Sequence, residues 1–188
     1  MTINAYMTFQ PYNGGLLNAE AQVDLSKNTE PLVSAPTPLA PGKVFSIDDF
    51  SLDVAQTLNI GSQSAGAGKV TFNPFSITRN VDCISPVLFQ MACSGTPFET
   101  VTLALARSVA GGPPAGQFIV RFDFKLVAVK TVAWKPDPSG PKEQVTFEYG
   151  GLQVRYSQQG QNGALMTPVA AGWNAVKNIQ DLGAARIG

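Results

Sequence analysis

The residues able to do chemistry are few and poorly spaced for it. The chain has no His. That removes the side chain that most often serves as general base or metal ligand, and with it any Ser-His-Asp or Cys-His arrangement. The two Cys, Cys83 and Cys93, flank or enter a short helical pattern whose rise would hold them roughly 15 Å apart. A disulfide needs Cα atoms within about 7 Å. Both are expected as free thiols, with Cys93 buried as a small apolar residue. Two Cys without companion ligands make no zinc site. Gly66-Ala-Gly-Lys69 glances at a phosphate loop, yet Gln63 stands where that loop needs its first Gly, and Val70 follows Lys69 in place of Ser or Thr. The turn also leads into a strand pattern, not a helix. Asp48, Asp49 and Asp53 could form a carboxylate cluster, but no companion ligand accompanies them and a solvated face fits better. Arg121, Asp123 and Lys125 alternate along one strand. They read either as a solvent-facing stripe with cross-strand ion pairs or as a charged contact across a subunit boundary. No metal, cofactor or enzyme site is implied.

Among the elements that carry these side chains, the strongest block is Lys69 to Gly95. Val70 and Phe72 share a strand face, and after Asn73-Pro74 the apolar set moves to Phe75 and Ile77. Such a one-residue slip predicts a bulge, with Pro excluded from a central ladder. Ser85 then reads as an N-cap with Pro86 in the first helical position. Ile84 and Phe89 stand at the positions of a hydrophobic staple, and Gly95 is a natural stop. Val87, Leu88, Met91 and Ala92 fall on one side of the helix.

Alternating apolar residues predict strands elsewhere. Ile3, Ala5, Met7 and Phe9 make a half-buried one. From Ile47 to Leu58, Phe50, Leu52 and Val54 are expected inward, and Ser51, Asp53 and Ala55 outward. Val101, Leu103 and Leu105 point inward from Glu99 to Ser108. Phe118, Val120, Phe122, Phe124 and Leu126 oppose Ile119, Arg121, Asp123 and Lys125 across Gln117 to Trp134. Val145, Phe147 and Tyr149 pass into Leu152, Val154 and Tyr156 through Gly150-Gly151, a second candidate bulge. About six or seven strands with one helix make a mainly β, two-sheet antiparallel barrel or sandwich with a short α-helix at its side.

At 188 residues the chain can bury roughly 70% of its unfolded surface as a single domain, spanning residues 1–188. Residues 10–45 form a long Pro-rich connection, with Pro31, Pro36, Pro38 and Pro41. It reads either as a floppy insertion or as an arm on a neighbouring subunit. Only 14% of residues are charged, and 13 basic balance 13 acidic ones. That excludes a typical nucleic-acid binder, argues against disorder and favours self-association. No basic-then-apolar leader opens the chain, and no apolar run is long enough to span a membrane.

In order, the N-terminal strand, Ile47-Asp48 to Gln56, Ala67-Gly-Lys-Val70 and Phe75-Ser-Ile-Thr-Arg79 with Val81-Asp82 resemble one family. Ser85-Pro86, Ala92-Cys-Ser-Gly95, Phe118 to Val129, Glu143 to Tyr156 and Gly172-Trp-Asn174 complete the set. The set is similar to the haemolysin co-regulated protein (Hcp) family, the tube subunits of bacterial type VI secretion systems. The longer 10–45 connection and a tail at 181–188 depart from it. The resemblance implies a non-enzymatic structural subunit that closes as a homo-hexamer. Its rings would stack into a tube that works with a contractile sheath and a spike, and would carry secreted effectors in the lumen. It implies a cytoplasmic protein that is later secreted without a Sec signal. It also implies that the strand bearing Ser51, Asp53 and Ala55 lines the lumen. Two other readings stay open: a tail-tube protein of a phage-like contractile particle, and a secreted carbohydrate- or ligand-binding β-sandwich. The latter would use Tyr6, Tyr12, Trp134, Tyr149, Tyr156 and Trp173 as an aromatic platform.

Overall fold

The computed structural model describes residues 3–21, 23–34, 37–56, 70–161 and 163–180. The first strands are β1 (Ile3–Pro11), β2 (Phe45–Ile47), β3 (Asp49–Ser51), β4 (Val54–Gln56), β5 (Val70–Phe72) and β6 (Phe75–Asn80). They are followed by β7 (Phe98–Arg107), β8 (Gln117–Lys135), β9 (Lys142–Tyr156) and β10 (Val169–Asn174). A one-turn helix α1 (Pro31–Ser34) lies in the long connection, and α2 (Ser85–Ser94) precedes β7. The main sheet runs β2-β1-β7-β8-β9-β6-β3, with β10 also on β9, and β4 and β5 form a separate hairpin. All pairings are antiparallel. The sheet curls back on itself because β2 and β3 are successive pieces of one segment. Met7 pairs with Phe45 on one side and Phe50 with Ile77 on the other. Between them the Asp48 N–H donates to the Thr78 carbonyl at 2.9 Å. This is the expected barrel architecture.

Alternating side chains of β1, β2, β6, β7 and β9 meet inside: Met7, Phe9, Phe45, Ile77, Val101, Leu103, Val145 and Phe147 are all buried. Phe75 stacks between Phe124 and Phe147, with ring centroids 4.1 and 4.7 Å away. The helix packs the expected face against this core, with Leu88 fully buried and Val87, Met91 and Ala92 around it. Gly95, at φ 67°, ends it and returns its N–H to the Met91 carbonyl. That left-handed conformation costs a Cβ-bearing residue energy and glycine little.

Several expectations change. Ser85 lies inside the helix, and Ile84 holds the cap position with no side-chain bond of its own. The Ser85 hydroxyl instead accepts from the Asp82 N–H at 3.1 Å. Phe89 is exposed and faces Trp134, not Ile84. Cys83 and Cys93 are both free and both exposed; Cys93 falls well off the Leu88 face of the helix. The slip at Asn73-Pro74 is not a bulge: there the chain leaves the β4–β5 hairpin for the main sheet. Phe118 shares the Arg121 face because the β7–β8 register shifts beside Ile119. Val54, on the small hairpin, is 48% exposed. The glycine turn from Gly61 to Gly68, with Gly66-Ala-Gly-Lys69, lies outside the described residues, as does the tail at 181–188.

The slip at Gly150-Gly151 has a different cause from the one expected. No register shift separates Lys125↔Gly151 from Val127↔Tyr149. Both strands turn together instead, since Leu126 takes φ 52° and points outward while Phe124 and Val127 face the core. A Cβ at Gly150 would meet Leu126 at 3.2 Å and Val176 at 3.1 Å, so glycine makes the shared turn possible.

The described residues of the connection from 12 to 44 pack on the chain itself. They fold over the outer face of β1, β7 and β8. Leu25, Leu32, Leu39 and Val44 form a second core with Tyr6, Ala104, Ala106 and Phe118. Small residues on β7 make room for it. β1 is therefore buried on both faces, not half-buried.

Leu88→Ala should destabilise the protein by about 2–5 kcal/mol, the range for an emptied core leucine site. Urea unfolding measures this, and a loss below about 0.5 kcal/mol, typical of surface substitutions, would remove α2 from the core.

Candidate functional site: the assembly surfaces

The charged stripe on β8 does not face solvent. Arg121 and Asp123 are 0% exposed. The Arg121 Nε donates to both Asp123 oxygens, at 2.9 and 3.1 Å. Its Nη1 donates to the Leu32 carbonyl at 2.8 Å, and its Nη2 to the Thr37 carbonyl at 2.6 Å. The Thr102 hydroxyl donates to Asp123 at 2.8 Å, and the Arg155 guanidinium lies 3.3 Å from the same carboxylate. Two cations thus share one buried anion, and two backbone carbonyls of the connection meet the surplus positive charge. Burial pulls the Arg155 pKa below its ordinary value, Asp123 works against that, and Arg121 adds to it. At the end of the stripe Lys125 is half-buried and donates to the Thr100 hydroxyl at 2.6 Å. Alternation on β8 cannot reveal a layer contributed from far upstream, which is why the stripe reads as open surface in the sequence.

Ser51, Asp53 and Ala55 are exposed. Ser51 ends β3 opposite Ser76, and Ala55 lies in the small hairpin opposite Thr71. Between them Asp53 accepts a hydrogen bond from the Asn73 side chain. Phe50 and Leu52 pack against the core from the other face. The buried Tyr149 hydroxyl is pushed up to about 12, by desolvation first and by the Asp53 charge second. Among the described residues no three His, Cys, Asp or Glu gather as metal ligands. The arrangement offers small, polar, wettable surface.

Among the described residues, apolar surface gathers chiefly in two places. One is a groove of about 480 Å³ beside α2, formed by Val81, Asp82, Ser85, Pro86, Phe89 and Trp134. Beneath it Glu143 accepts from Trp134 Nε1 at 3.2 Å and from Arg79 at 2.9 Å. Arg79 also pairs with Asp82 and lies 5.4 Å over the Phe45 ring. Sequence reading missed this pair, although Arg79 and Glu143 face each other in the β6–β9 register. The other surface surrounds β10, where Tyr156, Val169 and Val176 are exposed and the strand pairs with β9 alone among the described residues. Apolar patches and open strand edges are where partners add. The aromatic residues do not form one platform: Tyr6 and Tyr149 are buried, while Trp134 stands with Phe89 beside α2.

Comparison with known proteins supplies the context. A family model described as "Type VI secretion system effector, Hcp" matches residues 43–156, from just before β2 to the end of β9. A structure of a type six secretion system protein matches with TM-score 0.75 at 20% identity, covering 96% of this chain and all of that one. Hcp1 from Salmonella typhimurium matches with TM-score 0.66 at 16% identity, covering 96% of this chain and all of that one. The secreted protein Hcp3 from Pseudomonas aeruginosa matches with TM-score 0.58 at 17% identity, covering 92% and 99%. At such identities the likeness to these structures is one of fold. No curated protein sequence matches the chain.

Arg121→Ala should leave Asp123 beside one cation and free the two carbonyls of the connection. A cost of about 3–5 kcal/mol is expected for breaking a buried pair. Lys130→Ala, which breaks an exposed pair with Glu148, should cost no more than about 1 kcal/mol. Equal losses in urea unfolding would contradict the anchoring role.

Proposed function

The chain belongs to the Hcp family of type VI secretion proteins, and from that membership we propose that it is a structural subunit of the inner tube. It acts by assembly, without turnover. Six copies close into a ring, rings stack within a contractile sheath beneath a spike, and the lumen carries effectors. The whole chain works as one tube domain, made in the cytoplasm and secreted with the tube. The observation that carries this reading is the family match from residue 43 to 156, which spans the segment that closes the barrel as well as β5 to β9. Three physical features support it. The balanced charge leaves little repulsion between copies. Among the described residues β10 pairs with β9 alone, and such an edge with exposed apolar side chains around it favours partners. A closed ring hides such edges with one repeated contact.

In this reading Ser51, Asp53 and Ala55 line the lumen, where small polar side chains suit a wet channel. Arg121, Asp123 and Lys125 serve the subunit boundary indirectly, by fixing the connection that covers them.

Purified protein at tens of micromolar should sediment as a hexamer. A monomer across that range would overturn the ring. Asp53→Arg should leave ring mass unchanged and change unfolding by no more than about 0.5 kcal/mol, because the side chain is exposed, and should alter effector co-purification. Unchanged effector recovery would remove Asp53 from the lumen wall.

A further inference from the structure

A hollow and a knob on this chain are complementary in shape and charge. The hollow is the groove beside α2, with Val81, Pro86, Phe89 and Trp134 on its walls and Asp82 at its rim. Phe89 and Trp134 are each 51% exposed. One cation, Arg79, stands there against two carboxylates, Asp82 and Glu143. Arg79 and Glu143 are buried, whereas Asp82 keeps 17% of its side chain exposed. The groove is apolar with a surplus of negative charge, and that charge meets solvent through Asp82.

The knob is the turn at residues 175–178, just after β10. The Asn174 N–H donates to the Ile179 carbonyl at 2.9 Å, and the Ile179 N–H returns to the Asn174 carbonyl at 3.2 Å. The Ala175 N–H donates to the Gly150 carbonyl at 2.9 Å, and the Lys177 N–H to Asn174 Oδ1 at 3.0 Å. A turn held this way presents Val176, 69% exposed, and beside it the exposed Lys177. Among the described residues Lys177 forms no ion pair. The knob is fixed to Gly150 and the groove lies over Glu143. The stretch of β9 between these two residues spans roughly 23 Å at the rise of a strand. The knob therefore cannot fill the groove of its own chain.

We propose that the Val176–Lys177 turn of one copy seats in the groove beside α2 of the next copy in the ring. Val176 packs between Phe89 and Trp134. The stem of Lys177 lies along the apolar wall, as long basic side chains do, and its ammonium meets the carboxylate of Asp82. Each copy gives one knob and receives another, and a contact between unlike surfaces repeated about an axis closes a ring. The edge of β10 stays open beside the knob. The inference rests on the ring reading above and names the surfaces that join its copies.

The test compares the native mass of the unchanged chain with that of Val176→Glu and of Phe89→Lys. The first sets a carboxylate against Asp82, and the second a cation against Lys177. Both positions are exposed, so the urea midpoints should stay close to that of the unchanged chain. Each variant should lose the ring at concentrations where the unchanged chain forms it. A second measurement uses the full chain with Cys83→Ser and Cys93→Ser. There Phe89→Cys and Val176→Cys together should give, on air oxidation, a ladder of covalent multimers up to the mass of the ring, and either alone should give none. Rings of full mass from either charged variant overturn the proposal and leave the ring reading intact. Loss of rings in both without a cross-linked ladder also overturns it, assigning the two surfaces to other occupants. An unchanged chain that forms no ring overturns the ring reading and this proposal with it.

Discussion

The fold depends on one segment satisfying two strands at once. Phe45 to Ser51 pairs first with β1 and then, past Asp48, with β6. Without it β1 and β6 would be open edges and the core would be exposed between them. Arg79 secures the junction from β6, with its guanidinium over the Phe45 ring and against Glu143. Because Arg79 and Glu143 are both almost fully buried, removing either would leave a charge without its partner, which costs far more than an exposed pair would. The closure is thus specified by packing and by charge together.

Once the barrel is closed, the outer face of β1, β7 and β8 carries Tyr6, Thr8, Thr102 and Arg121, a mixture that neither water nor an apolar partner suits fully. The 10–45 connection resolves this by offering leucines to Ala104 and Phe118 and carbonyls to Arg121. A long Pro-rich segment thereby becomes part of the folded body. Uncovered among the described residues are the exposed segment with Ser51, Asp53 and Ala55, the groove beside α2, and the outer side of β10. The surface chemistry of the subunit is largely the remainder after those two coverings.

Much of this was legible in the sequence because alternation reports a buried face directly. Met7 and Phe9, Leu103 and Val101, and Phe147 and Val145 all lie where period two places them, and Leu88 where the helical period places it. The misreadings share a cause: alternation assumes uniform pleating and a single buried face. It fails at Leu126, whose backbone turns without changing register, and at Phe118, beyond a register shift. It fails for the stripe at Arg121 because the cover comes from leucines with no periodic spacing. β10 was missed as a strand because Ala170, Ala171 and Gly172 lack the branched or aromatic side chains that mark one. No local pattern links Arg79 to Glu143; the β6–β9 pairing brings them together.

The family match supports the proposal that the chain repeats in a ring, and imaging the purified chain tests that proposal most directly. Electron microscopy of negatively stained particles should show six-fold rings with an open centre, some seen stacked from the side. Compact particles without a central opening, at concentrations where the chain remains folded, would contradict the account.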